Sequence, residues 1–275
     1  MIWTTQPRSD LGGHKAIVTG QGRPIVLFHG VGLRAEAWAA QIADLQADYQ
    51  IIAPDMPGHG AAPCPPVPMP LAGYAQNLAR VLEALEEPAL IVGHSMGALI
   101  ALELASHRPD RVCGVAALNA VFQRNPAAAA AVRARAESLT GDSLPDPDPT
   151  LTRWFGASDT PERRACDQWL RSADPRGYKW AYSAFAQTLG PEPRDLRAIA
   201  CPVLFATGAD EPNSTPEMSQ QMAQETPDSQ ALIIEGAAHM LPMTHPDTIN
   251  AALRRLAARV WPAPSGPRPD TVERN

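Results

Sequence analysis

Residues 89–102 read Ala89-Leu90-Ile91-Val92-Gly93-His94-Ser95-Met96-Gly97-Ala98-Leu99-Ile100-Ala101-Leu102. A run of apolar residues short enough for a buried strand enters a glycine-flanked pentapeptide, and an apolar helical run follows at once. Ser95 therefore stands on a sharp strand-to-helix turn, where glycine on either side removes the side chains that would collide. Free N–H groups and the helix dipole at that N-terminus favour negative charge beside the hydroxyl. Ser95 is the candidate nucleophile. The same pentapeptide alone also suits a serine that merely caps a helix, so its neighbours along the chain decide between the two.

Upstream, Pro24-Ile25-Val26-Leu27-Phe28 reads as a buried strand ending in His29-Gly30-Val31-Gly32. A glycine turn there can aim the N–H of Val31 at a reacting carbonyl, and with the N–H of Met96 it makes a two-donor oxyanion hole. Loss of one such donor costs roughly a hundred- to a thousand-fold in turnover. Downstream, Val203-Leu204-Phe205-Ala206-Thr207-Gly208 runs into Ala209-Asp210-Glu211-Pro212, and Asp210 is the candidate acid. Ala231-Leu232-Ile233-Ile234 leads into Glu235-Gly236-Ala237-Ala238-His239, and His239 is the candidate base. A serine hydroxyl needs an imidazole to take its proton and a carboxylate to hold that imidazole in the correct tautomer. The order serine, acid, histidine is the one an open parallel sheet uses. Asp55 also ends a strand, but it precedes the nucleophile and does not fit that order. His29, His59 and His94 are read as supports of their turns.

Through His29-Gly30-Val31-Gly32, Asp55-Met56-Pro57-Gly58-His59-Gly60, Gly93-His94-Ser95-Met96-Gly97, Gly208-Ala209-Asp210 and His239, the chain resembles the α/β-hydrolase superfamily from about residue 14 to about residue 258. Within it, Asp174-Pro175-Arg176-Gly177-Tyr178, Ile199-Ala200-Cys201-Pro202-Val203 and Gly208-Ala209-Asp210 are most similar to the small bacterial group containing 3-oxoadipate enol-lactonases. The resemblance implies an α/β fold, a mostly parallel sheet covered on both faces with an inserted helical lid. It also implies a serine hydrolase that uses neither metal nor cofactor and cleaves an ester, enol-lactone or activated amide of a small acyl substrate through an acyl-enzyme. Relatives with the same triad hydrolyse carbon–carbon bonds of vinylogous diketones, and some act as ligand receptors; both stand as alternatives. Two departures bear on the substrate more than on the mechanism. Ala98 stands where many relatives carry a second glycine, and Pro212-Asn213-Ser214-Thr215-Pro216 fits the usual loop only loosely.

The chain has 275 residues, 45% of them hydrophobic, and a formal net charge of −6. No basic run is present to neutralise phosphates, which argues against a nucleic-acid partner. No uninterrupted apolar run is long enough to span a bilayer, and the first residues lack a basic stretch followed by an apolar core. Cys64, Cys113, Cys166 and Cys201 are scattered without metal-ligand spacing, as in a reduced, cytoplasmic protein. Self-association is left open.

Strand-like and helix-like runs alternate as a doubly covered parallel sheet requires. His14 to Gly20 and Pro24 to Phe28 are predicted to form a hairpin across Gln21-Gly22-Arg23. The alternation stops after Ala120, so residues 1–120 and 195–260 are expected to form the core, 121–194 the helical lid and 261–275 a flexible tail. Inside the lid segment, Ala127 to Ala131 favours helix and Pro145-Asp146-Pro147-Asp148-Pro149 interrupts it. Aromatic residues are concentrated there, among them Trp154, Trp169, Tyr178, Tyr182 and Phe185, to glue the lid down and to roof Ser95. Arg153, Arg163, Arg164, Arg171, Arg176 and Lys179 are cations of the same segment able to meet a substrate carboxylate, against a background of neighbouring acids.

Overall fold

The computed structural model describes residues 3–262. Eight strands form one sheet: β1 (Ser9–Leu11), β2 (His14–Thr19), β3 (Pro24–Phe28), β4 (Gln50–Pro54), β5 (Ala89–His94), β6 (Val112–Leu118), β7 (Val203–Gly208) and β8 (Ser229–Ile234), in the order β1-β2-β4-β3-β5-β6-β7-β8. β1 and β2 are antiparallel to their neighbours and the other pairings are parallel. The central strands are apolar along their whole length because both faces are covered, and the period of two sends alternate residues to opposite sides. Val26, Phe28 and Ile91 join one core cluster; Ile25, Leu27, Leu90 and Val92 join the other. Helices α2 (Leu71–Glu83) and α3 (Met96–His107) pack in the first cluster, α1 (Ala39–Leu45) and the last helix, Pro246–Val260, in the second. Nearly all of α3 is buried, which explains why its sequence is apolar all round instead of striped.

The predicted hairpin does not form. β2 and β3 are not neighbours: β4 lies between them, antiparallel to β2 and parallel to β3. The turn residues are real, with Gly20 and Gly22 both at positive φ. However, β3 is buried at every position and takes parallel partners on both sides, β4 and β5, so β2 is displaced to the far side of β4.

Five helices, α4 (Pro126–Ser138), α5 (Asp148–Phe155), α6 (Pro161–Ser172), α7 (Pro175–Gln187) and α8 (Pro193–Ala198), lie between β6 and β7. Asn125, Thr160 and Asp174 start α4, α6 and α7 by accepting a backbone N–H, each just before a proline in the first turn. A third apolar cluster, including Leu151, Trp169, Leu170 and Tyr178, joins this insertion to Leu33, Met240 and Met243 of the sheet unit. Of the expected tail, Trp261 packs against Tyr49 with ring centroids 6.0 Å apart; residues 263–275 lie outside the described residues.

Asp55 has a structural task. Its carboxylate accepts the N–H groups of Ala35 and Ala61 and an ion pair from Arg8 at 2.8 Å, while Arg8 also meets Glu36 at 2.7 Å. All three are buried, so the network clips the N-terminal segment to the loop after β3. Burial pushes the Glu36 carboxyl up, but the Arg8 hydrogen bond and charge outweigh it and hold the group at about 2, from an ordinary 4.5. A carboxyl depressed in the folded state stabilises above its unfolded pKa, and that contribution is lost as pH falls from 4.5 towards about 2. Arg8→Met leaves buried Asp55 without its cation and Glu36 with only Arg34, at 2.7 Å. It is expected to cost about 3–5 kcal/mol at neutral pH and to flatten the acid limb of stability, both read from urea unfolding between pH 7 and pH 3.

Candidate active site

The loops after β3, β5, β7 and β8 leave the same, carboxyl-terminal edge of the sheet, and the strand order reverses direction between β3 and β5. That edge, at such a switch point, is where open α/β sheets hold their ligands. Ser95 sits between β5 and α3 at φ 57°, ψ −118°, a conformation few non-glycine residues adopt. Glycines make that turn possible. A Cβ on Gly93 would lie 2.1 Å from the carbonyl oxygen of Gly97, and one on Gly97 would lie 2.2 Å from that of Phe28. The Ser95 N–H is tied to the Leu118 carbonyl at 2.8 Å, so β6 anchors the elbow from the other side.

Ser95 and His239 line one cavity of about 190 Å³ with Gly30 and Val31. Among the described residues, neither the Val31 N–H nor the Met96 N–H donates to a protein acceptor. Both are therefore free to bond a ligand.

The acid at His239 is Glu211, not Asp210. Glu211 Oε2 lies 3.0 Å from His239 Nδ1, and Oε1 accepts the N–H groups of Asn213 (2.8 Å) and Ser214 (3.3 Å). Glu211 is 2% exposed, whereas Asp210 faces solvent. The reason lies in the turn after β7. The Asp210 N–H donates to the Ala237 carbonyl and the Glu211 N–H to that of Gly208. This closes the chain back on itself, turning Asp210 outward and Glu211 in. Burial pushes the Glu211 carboxyl up, but the charge of His239 and hydrogen bonds from His239, Asn213 and Ser214 hold it at about 2.

The remaining histidines hold the frame. His94 Nε2–H donates to the His239 carbonyl at 2.7 Å, steadying the loop that carries His239, and burial pushes the His94 pKa down to about 3 so it stays neutral. His29 accepts the Met56 N–H on Nε2 and donates from Nδ1 to the Gly30 carbonyl, which fixes both its tautomer and the turn bearing Val31. His59, also buried and pushed down to about 3, faces the Pro57 carbonyl at 3.2 Å.

The insertion roofs the cavity. Trp154 stacks on the His239 ring with centroids 5.3 Å apart and planes 21° from parallel. Tyr178, Tyr182 and Phe185 complete an aromatic wall. Trp169 turns elsewhere, packing edge-on against Trp3. Of the cations singled out in the sequence, Arg153 reaches the cavity. Arg171 pairs with Asp146, Asp148 and Asp167, and Arg164 with Asp159; Arg163 and Lys179 bond the carbonyls of Gly156 and Thr140. Arg124 and Arg135, which the sequence reading passed over, do line it. Among the described residues there is no group of three or more His, Cys, Asp or Glu able to hold a metal, and no helix is long and apolar enough to cross a membrane.

Residues 25–252 match the alpha/beta hydrolase family. The chain belongs to that family and is, at that level, a hydrolase. It is 40% identical over 239 residues to an (E)-2-((N-methylformamido)methylene)succinate hydrolase of Acinetobacter baylyi, covering 86% of this chain and 90% of that one. To 3-oxoadipate enol-lactonase 2 of the same organism it is 30% identical over 249 residues, with 86% and 90% covered. Among solved structures, a thermophilic esterase from Thermogutta terrifontis, studied with malate bound, superposes with a TM-score of 0.80 at 28% identity, covering 90% of this chain and 94% of the esterase.

Proposed function

We propose that the protein is a serine hydrolase of a small acyl compound. Ser95 attacks the carbonyl, His239 takes the hydroxyl proton and later returns it to the leaving group, and Glu211 holds His239 with its proton on Nδ1. The N–H groups of Val31 and Met96 carry the oxyanion, and water then releases the acyl group from Ser95 by the same route in reverse. The observation that carries this reading is the His239–Glu211 contact of 3.0 Å beside a strained, cavity-lining serine. Helices α4 to α7 act as the lid, and Trp154 screens the imidazole from solvent, which strengthens charge stabilisation at the reacting carbon.

The bond cleaved is an ester, an enol-lactone or an activated amide. The similarity at 40% identity to a hydrolase whose substrate name contains a formamide nitrogen on a methylene succinate favours the activated amide; the similarity to an enol-lactonase supports the lactone. Incubation with a small fluorophosphonate, followed by intact mass, tests the mechanism without knowledge of the substrate. One adduct on the native chain and none on Ser95→Ala is the expected result. An adduct that persists in Ser95→Ala, or a native chain that never labels, contradicts it.

A further inference from the structure

The cavity wall holds three arginines, Arg124, Arg135 and Arg153, and no aspartate or glutamate. None of the three forms an ion pair among the described residues. Arg124 is the sharpest case because it is only 5% exposed. Nη1 donates to the carbonyls of Phe185 (3.1 Å) and Thr188 (2.6 Å), and the guanidinium lies 4.2 Å from the centre of the Phe185 ring. Nη2 is buried with no hydrogen-bond partner. Arg135 donates to Thr150 Oγ1 at 2.8 Å and to the Tyr178 hydroxyl at 3.4 Å, and its guanidinium lies over Tyr182. These are neutral partners.

By contrast Arg8, whose side chain is 7% exposed, meets two carboxylates. A buried cation left without an anion is costly, and arginine does not escape by losing its proton at neutral pH. Burial lowers Arg124 only to about 10. A bound anion relieves that cost. The planar fork of a guanidinium suits a carboxylate.

Resting on the reading of Ser95 as nucleophile, we infer that the substrate is a small acyl compound bearing a free carboxylate, which Arg124 binds with Arg135 and Arg153 flanking it. The carboxylate fixes the direction in which the scissile carbonyl enters between Ser95 and the N–H groups of Val31 and Met96, so charge sets orientation as well as affinity.

Monomethyl succinate and dimethyl succinate differ in one negative charge and little else, and their hydrolysis is followed by titration of released acid. The expected result is a kcat/KM for the monoester at least about tenfold above the diester, with that ratio falling towards one in Arg124→Met. Should Arg124→Met not fold, Arg135→Gln serves, with a partial fall. Calorimetry on Ser95→Ala gives a second readout independent of turnover: succinate binds and its neutral isostere succinamide does not. Ser95-dependent hydrolysis at equal rates, with no succinate binding, overturns the carboxylate site and leaves the serine mechanism standing. Succinate binding that needs Arg124, without hydrolysis of either ester, supports the site and counts against the serine mechanism.

Discussion

Ser95→Ala is expected to lower kcat by on the order of 10⁴- to 10⁶-fold, with His239→Ala falling in the same range and the double variant little worse than either. In the proposed mechanism the losses do not add because serine and imidazole act in one proton transfer: without its base the hydroxyl is a poor nucleophile, and without the hydroxyl the base has nothing to activate. Residual rate comes from the oxyanion donors and from binding. Stability should hardly change in Ser95→Ala, since the Ser95 side chain makes no hydrogen bond to protein among the described residues and the strained backbone is kept by Gly93 and Gly97. Steady-state kinetics on a responsive ester, with thermal unfolding as the control, separates this from a folding defect. A rate within about tenfold of native in either single variant removes that residue from the mechanism.

Glu211→Gln is expected to cost about 10⁴-fold in kcat, while Asp210→Asn stays within about twofold of native. The amide of glutamine can offer an N–H to His239 Nδ1, which moves the ring proton to Nε2 and removes the acceptor that the serine needs. Asp210 faces solvent and touches neither Ser95 nor His239, so its charge is screened. The paired kinetics discriminate directly between neighbouring carboxylates. Glu211→Gln should also reduce the acid sensitivity of folding. Its carboxyl stabilises the fold above 4.5, and that contribution is lost as pH falls towards about 2. A large defect in Asp210→Asn with a mild one in Glu211→Gln reverses the assignment made from the geometry.

The neighbouring pair also marks where local reading runs out. Gly208-Ala209-Asp210-Glu211-Pro212 announces a turn with an acid at the end of a strand, and both carboxylates satisfy every rule of order and spacing. Which one faces the imidazole depends on hydrogen bonds from the turn to Gly208 and to Ala237, a residue near the base in the chain but not near the acid. The hairpin expected between β2 and β3 failed for a related reason. Gly20 and Gly22 do sit at positive φ, but the partner of a strand is chosen by burial of both its edges, and β4 and β5 took them. Arg124 and Arg135 were hidden similarly. In the sequence they are two arginines among many, and only packing shows that their neighbours are carbonyls, hydroxyls and aromatic rings.

The linear chain by itself determined the parallel core strands, the elbow turn at Ser95 and the strand-end turns that carry Val31 and His239. Each depends on a contiguous pattern: an unbroken apolar run, or glycine where a side chain would strike backbone within a few residues or across one adjacent strand. Tertiary structure alone decided the strand order at the N-terminal edge, the acid that orients His239, the aromatic that stacks on it and the unpaired arginines of the wall. Those depend on which groups meet across long stretches of chain and on which charges are left without a partner once water is excluded, and no local pattern encodes either.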